Sequence, residues 1–322
     1  MRTEKFLPPW LVWLIGGAVL GVLMRVIFGA VPSQVSGVMS IAFLVGTPTA
    51  AGAITVYGAR HASASWAFAI FAPWGTVLLM MLGCALTLLE GSICIALLTP
   101  LFLACASVGG VGMECALRAA KTRQSHLKAV ALLPLLIFVA ESGVDHRTQS
   151  RELRSSILID AAPGTVWKEI LTARAIQPAE LPFSLTHLIG VPRPVEGIHV
   201  SSADGEVRYS KWERGVSFRA VVTERVEQKS ITWRYLFDEQ SFPPGAMDEH
   251  VAIGGRYFDI GDTTFNLRPA PGGRTELQIV AHYRVTTRIN FYAVPAATIL
   301  GKDFMATLLG FYKGRSERAE PG

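Results

Sequence analysis

Asp248, Glu249 and His250 stand side by side. Two carboxylates and an imidazole in one turn could hold a divalent cation or relay a proton. In a loop such a trio is more often a solvated charged turn. Arg219, Arg256 and Asp259 lie in or beside strand-like stretches, where a buried charge would orient the polar end of a ligand. Glu249, His250, Asp259 and Tyr283 form the full set of acid–base candidates. None of them belongs to a nucleophile–base–orienter pattern. The chain has no G-x-S-x-G, H-E-x-x-H, P-loop or dinucleotide fingerprint. The sequence therefore assigns no catalytic residue, metal or cofactor, and it leans away from an enzyme.

Three charges sit where charge is costly. Arg25, Glu90 and Glu141 interrupt or end long apolar runs, and intramembrane charges default to functional roles. Arg25 could pair with either carboxylate, or each could reach separately for headgroups. The four cysteines, Cys84, Cys94, Cys105 and Cys115, are spaced 10, 11 and 10 residues apart, unlike zinc ligands. They read as small apolar residues of membrane helices.

The elements that must position these groups follow from a division in composition. Of 322 residues, 50% are hydrophobic and 17% charged, against about 25% charged in soluble proteins. Residues 1–150 hold 14 charged side chains and residues 151–322 hold 41. One half avoids water; the other is an ordinary globular domain. The net charge of +5 includes no Lys/Arg run on the globular half, which argues against nucleic acid as a partner.

Crossing a bilayer takes about 20 apolar residues. Residues 10–31, 36–58, 66–89 and 92–117 qualify, although Pro48 should bend the second. Residues 129–140 make a fifth, shorter span if Lys128 and Glu141 snorkel. Gly17 and Gly21 form a weak G-x-x-x-G. Arg2, Lys5, Arg60, Arg118, Lys121, Arg123 and Lys128 fall before the first span and in alternate loops. The positive-inside rule then puts the N-terminus in the cytoplasm and, after five spans, the globular half in the periplasm. The short fifth segment decides that compartment.

In the globular half, residues 154–160 read as a strand and 163–174 as a helix with proline in its first turn. Residues 206–212, 216–224, 230–237, 256–267 and 275–287 are β-branched and aromatic runs, the last two joined by a Pro-Gly-Gly turn. A long amphipathic helix, about 291–318, closes the chain. Residues 177–196 and 238–255 are long, proline-bearing connections of the kind that act as lids.

This order, with I-x-I-D-A-A-P-x-x-V-W at 157–167, G-x-V-R-Y at 205–209, G-G-R-T at 272–275 and Y-R-V at 283–285, resembles the START-like superfamily (SRPBCC) of polyketide cyclase/dehydrase and lipid-transfer domains. Glu90-Gly91, Ile93-Cys94-Ile95 and Pro100-Leu101-Phe102-Leu103 look like the membrane part of bacterial multi-pass proteins carrying such a domain. The expected architecture is a transmembrane helical domain, 1–146, of about five spans, followed by an α+β helix-grip domain, 152–318. In the latter a curved antiparallel sheet surrounds the C-terminal helix. The resemblance implies an apolar cavity between sheet and helix. Trp233, Tyr235, Phe237, Phe258, Phe265, Tyr283, Phe304 and Leu308 are the candidate walls. A bacterial inner-membrane module that binds a lipid or other hydrophobic molecule at the bilayer, for transport or sensing, is the expected function. The alternative is a cyclase/dehydrase-type enzyme with a hydrophobic substrate. In a sensor, Arg25, Glu90 and Glu141 would pass on the ligand state.

Overall fold

The computed structural model describes residues 9–31, 37–58, 65–119, 125–141, 147–202 and 205–319, with backbone alone at 9, 125–129, 202 and 249. The chain divides into two compact units, Met1–His146 and Arg147–Gly322.

The first unit is helical: α1 Pro9–Gly29, α2 Thr47–Gly58, α3 Trp66–Leu86, α4 Ser92–Ala119 and α5 Ser125–Glu141. Among the described residues of this unit, α1, α3 and α4 are both long and apolar enough to cross a bilayer. This corrects the count of five spans. The second expected span is broken: a 3-10 turn at Gly37–Met39 and a π-helical turn at Ala42–Gly46 precede α2. Pro48 explains the break, because it lacks an N–H and would clash inside a regular helix. The Thr47 N–H instead reaches back to the Ala42 carbonyl, absorbing one extra residue. The fifth segment is a 17-residue helix with Pro134 inside it. The basic residues that set the expected orientation, Arg2, Lys5, Arg60, Lys121 and Arg123, lie outside the described residues, as does the Lys128 side chain. A fourth helix of sufficient length and hydropathy, Asn290–Ala319, belongs to the second unit.

The helical unit is apolar outside as well as inside, with a few polar side chains buried among its apolar core. Val12, Val19, Leu23, Leu78, Leu82, Leu86, Leu136 and Val139 are exposed, whereas Thr47, Thr55, Thr76 and Glu114 are buried. Inside, the Thr55 and Thr76 hydroxyls bond at 2.6 Å. Gly17 and Gly21 both face α3: a Cβ on either would collide with Thr76 or Met80. Of the three apolar-run charges, Arg25 pairs with Glu90 and donates to the Leu89 carbonyl at 2.7 Å. Glu141 lies elsewhere, accepting from the Ile41 and Ala42 N–H groups at 2.8 and 3.2 Å. It thereby satisfies donors at the start of the irregular helix. The three charges do not form one cluster.

The second unit contains β1 Arg147–Ile159, α6 Pro163–Leu171, β2 Thr172–Ala173, α7 Leu185–Leu188, β3 Pro194–Ser202, β4 Gly205–Trp212, β5 Ser217–Val226, β6 Ser230–Leu236, β7 Phe258–Ala270, β8 Arg274–Thr287 and α8 Asn290–Ala319. All eight strands join one antiparallel sheet in the order β1-β8-β7-β6-β5-β4-β3-β2. The β7–β8 hairpin turns on Gly272 and Gly273 at φ +82° and +73°, which a side chain would strain. Bulges at 194/196, 222/224 and 260/263 bend the strands. The curvature shows in what α8 touches. Lys313 bonds the Leu158 carbonyl of β1, Tyr312 meets Phe265 of β7, and Phe304 meets Trp212 of β4. One helix reaches strands that far apart only if the sheet wraps around it. This is the helix-grip arrangement that the START-like resemblance implies.

Two strands were not anticipated, β2 and β3. β3 starts at Pro194, inside the stretch whose prolines read as a connection, and it follows the sheet-edge tolerance for proline. β1 also begins earlier than residue 154, at Arg147, because its exposed polar residues pair along β8 without hydrophobic alternation.

Candidate functional site

A cavity of about 90 Å³ lies between the concave face of the sheet and α8. Half of its lining residues are aromatic. Trp233 and Phe265 meet edge-on at 4.9 Å, Phe218 touches Tyr235 and Phe237, and Trp212 bridges Phe218 and Phe304 at 5.3 and 5.4 Å. Leu308, Phe311 and Tyr312 close it from the helix. The volume is below the roughly 300–1,000 Å³ of pockets for drug-sized ligands. It accommodates a compact group; anything larger must displace the walls.

One connection contributes to the wall, and another segment packs on the same helix without lining the cavity. The loop 238–255 folds Phe242 onto Phe237 at 5.7 Å and places Ile253 on the cavity. Here Gly254, at φ +77°, lies flat against Phe237, where a Cβ would come within 2.6 Å. On the other side, the short α7 is strapped to α8 through Asp303. The Asp303 carboxylate accepts from the Ser184 hydroxyl at 2.6 Å and from the Thr186 and Leu185 N–H groups at 2.8 and 3.2 Å. Burial opposes its charge, but those hydrogen bonds outweigh it and hold its pKa below the ordinary value. His187 of α7 is buried against Phe304, with burial pushing its pKa down.

Asp303→Ala is therefore expected to release the strap. Amide exchange at residues 184–188 should rise by an amount equivalent to about 1–2 kcal/mol, comparable to the loss of a helix cap. Because the folded pKa is depressed, Asp303 stabilises the strap fully above its ordinary carboxylate range. That contribution is lost as pH falls through the depressed value. Unchanged exchange in the variant would show that packing alone holds α7.

The expected wall residues divide. Trp233, Tyr235, Phe237, Phe265, Phe304 and Leu308 line the cavity. Phe258 and Tyr283 do not: they pack on each other and, through the Tyr283 hydroxyl, on Thr298 at 2.7 Å. Thr298 lies six to ten residues before Phe304 and Leu308, or about 9–15 Å along the helix axis. These two rings fill the solid end of the core.

None of the described polar candidates, Arg219, Arg256, Asp259 and His250, lines the cavity. Arg219 is exposed, since its neighbours Phe218 and Ala220 take the buried face of β5. Arg256 is exposed beside the Tyr257 ring, and Asp259 pairs with Arg284 at 3.4 Å away from the cavity. His250 is half-buried, 6.2 Å from Tyr257, and the Glu249 side chain lies outside the described residues. Among the described residues no group of His, Cys, Asp or Glu could hold a metal.

Two charged residues line the cavity, Glu196 and Arg208, and the buried one is Arg208 of β4, only 8% exposed. Its Nη1 donates to the Ile170 and Leu171 carbonyls at 2.6 and 3.4 Å, and its Nη2 to the Tyr312 hydroxyl at 3.5 Å. The guanidinium carbon sits 4.8 Å over the Trp233 ring. Gly197 makes room, because a Cβ there would lie 2.2 Å from Nη2. Hydrophobic alternation points the wrong way in β4. It would turn Val207 and Tyr209 inward, yet Tyr209 is exposed while Arg208, Ser210 and Trp212 face the cavity. Beyond Arg208, His199, Glu206 and Arg225 form a polar corner, with Arg225 bonded to Glu206 at 2.9 Å. Burial lowers the His199 pKa and raises that of the Tyr235 phenol.

No family model and no curated protein matches the chain. Solved structures do match, over about half of the chain. A START superfamily protein from Mycobacterium smegmatis is 14% identical, covering 52% of this chain and 99% of its own, with a TM-score of 0.34. The Zhui aromatase/cyclase from Streptomyces sp. R1128 is 13% identical, covering 53% and 97%, at 0.33. A protein from Mesorhizobium loti, MLL2253, is 14% identical, covering 53% and 100%, at 0.32. The fold assignment rests on the strand order, the bulges and the position of α8.

Proposed function

We propose that the chain is a membrane-anchored module whose START-like domain takes up a hydrophobic small molecule beside the bilayer, for transport or sensing. The aromatic cavity between sheet and α8 carries this reading. Apolar walls with few polar groups suit binding more than chemistry. The acid–base candidates of the enzyme alternative lie away from the cavity or outside the described residues, so no observation favours that alternative.

The apolar surface of the helical unit supports the anchor. Exposed leucines and valines over three long apolar helices match lipid as the surrounding medium. A bacterial inner membrane, a cytoplasmic N-terminus and a periplasmic domain, which an odd number of crossings such as α1, α3 and α4 would give, complete the proposal. A tether of this kind raises the domain's effective concentration where hydrophobic ligands reside.

The test uses the full chain in lipid nanodiscs. Its thermal unfolding is scanned against fatty acids, aromatic acids and isoprenoid alcohols. A saturable rise in the Tm of the sheet unit is expected from at least one class. No shift with any class, together with release of the chain from membranes by alkaline carbonate, would contradict both halves of the proposal.

A further inference from the structure

We infer that the cavity is built for a hydrophobic molecule ending in a carboxylate, with Arg208 as its anchor. This deepens the cavity reading and rests on it. Buried arginines are ordinarily paired with an acid. Arg208 has no carboxylate within ion-pair distance among the described residues, and its three partners are neutral oxygens. Its charge is thus buried with nothing of opposite sign beside it. A second donor stands at the same place: the indole N–H of Trp233, 1% exposed, has no acceptor. Its ring lies under the guanidinium and lines the cavity. A cation and an orphaned N–H, both without an acid, call for an acceptor that carries negative charge.

The chain's own carboxylates near the cavity are engaged elsewhere. Glu196 lines the wall but pairs with Lys211 at 3.4 Å, and Glu206 pairs with Arg225. The aromatic remainder of the cavity takes the apolar body of the ligand. A carboxylate fits the planar, forked donors of a guanidinium better than a hydroxyl does. The small volume selects a compact acid over a diacyl lipid phosphate.

Binding of 2-naphthoate and 2-naphthylmethanol, and of decanoate and decanol, to the full chain in nanodiscs tests this. The wild type is expected to bind each acid at least tenfold more tightly than its alcohol. Arg208→Met should erase the preference, and Arg208→Lys should restore part of it. Equal affinity for acid and alcohol in the folded wild type overturns the carboxylate site while leaving the cavity reading intact. Binding of neither member of either pair overturns both. The wild-type comparison needs no variant, so a misfolded Arg208→Met does not blunt it. A Glu196→Gln control that matches the wild type shows that Glu196 is not the partner Arg208 is waiting for; a rise in acid affinity above tenfold would overturn that exclusion and with it the unpaired-charge argument.

Discussion

Gly109→Leu is expected to prevent the helical unit from assembling. A Cβ at Gly109 would fall 1.9 Å from the Thr49 carbonyl oxygen, and one at Gly52 would fall 2.1 Å from that of Ala106. The backbones of α2 and α4 are therefore in direct contact, with two glycines interleaved. Gly110, next along α4, approaches the Ala69 carbonyl of α3 in the same way. Among lipid chains, helix association depends on close packing, since apolar burial supplies no drive there. A leucine at 109 meets backbone that cannot rotate aside, so the two helices must separate. Overpacking in cores costs about 1–3 kcal/mol, and rigid backbone on the opposing side puts this case at or above the upper end. Gly112 is the internal control, because nothing lies within 4 Å of its Cβ position. Detergent-solubilised Gly112→Leu should behave as wild type in size exclusion and thermal denaturation, and Gly109→Leu should aggregate. Equal stability of the two variants would refute the close α2–α4 contact.

Leu308→Trp should abolish ligand uptake and leave the fold in place. Leu308 is half-buried on α8, one turn from both Phe304 and Phe311, and its side chain lines the cavity. An indole there extends into open space and stacks among rings that already meet at 5–6 Å. With about 90 Å³ available, little remains for a ligand. Affinity for any compound that stabilises the wild type should fall 100-fold or more, while the unfolding midpoint without ligand stays within a few degrees. Leu308→Ala provides the opposite arm. It enlarges the cavity at a cost of about 2 kcal/mol and should admit bulkier compounds. Retained affinity in Leu308→Trp would place the ligand elsewhere.

Much of the second unit was legible because its residues alternate. Trp233, Tyr235 and Phe237 announce an inward face, and Pro163 and the Gly272–Gly273 pair mark a helix start and a hairpin turn. β3 was hidden by Pro192 and Pro194, since proline signals both loops and sheet edges. Arg208 was hidden more deeply. A sequence rule that turns apolar side chains inward must fail where the inward face is polar, and such failures are expected at functional or strained sites. Its only local signal was the G-x-V-R-Y pattern, which identifies a strand without stating which way it faces. In the first unit, hydropathy located the apolar segments but not the break at Ala42–Gly46, because π-helical turns depend on how Pro48 is accommodated.

The most direct measurement is native mass spectrometry of the full chain, extracted with its membrane, followed by solvent extraction of what stays bound. A single stoichiometric hydrophobic acid, absent from Leu308→Trp, is the predicted result. A folded chain that carries no adduct in either form would contradict the proposal that the cavity is a ligand site.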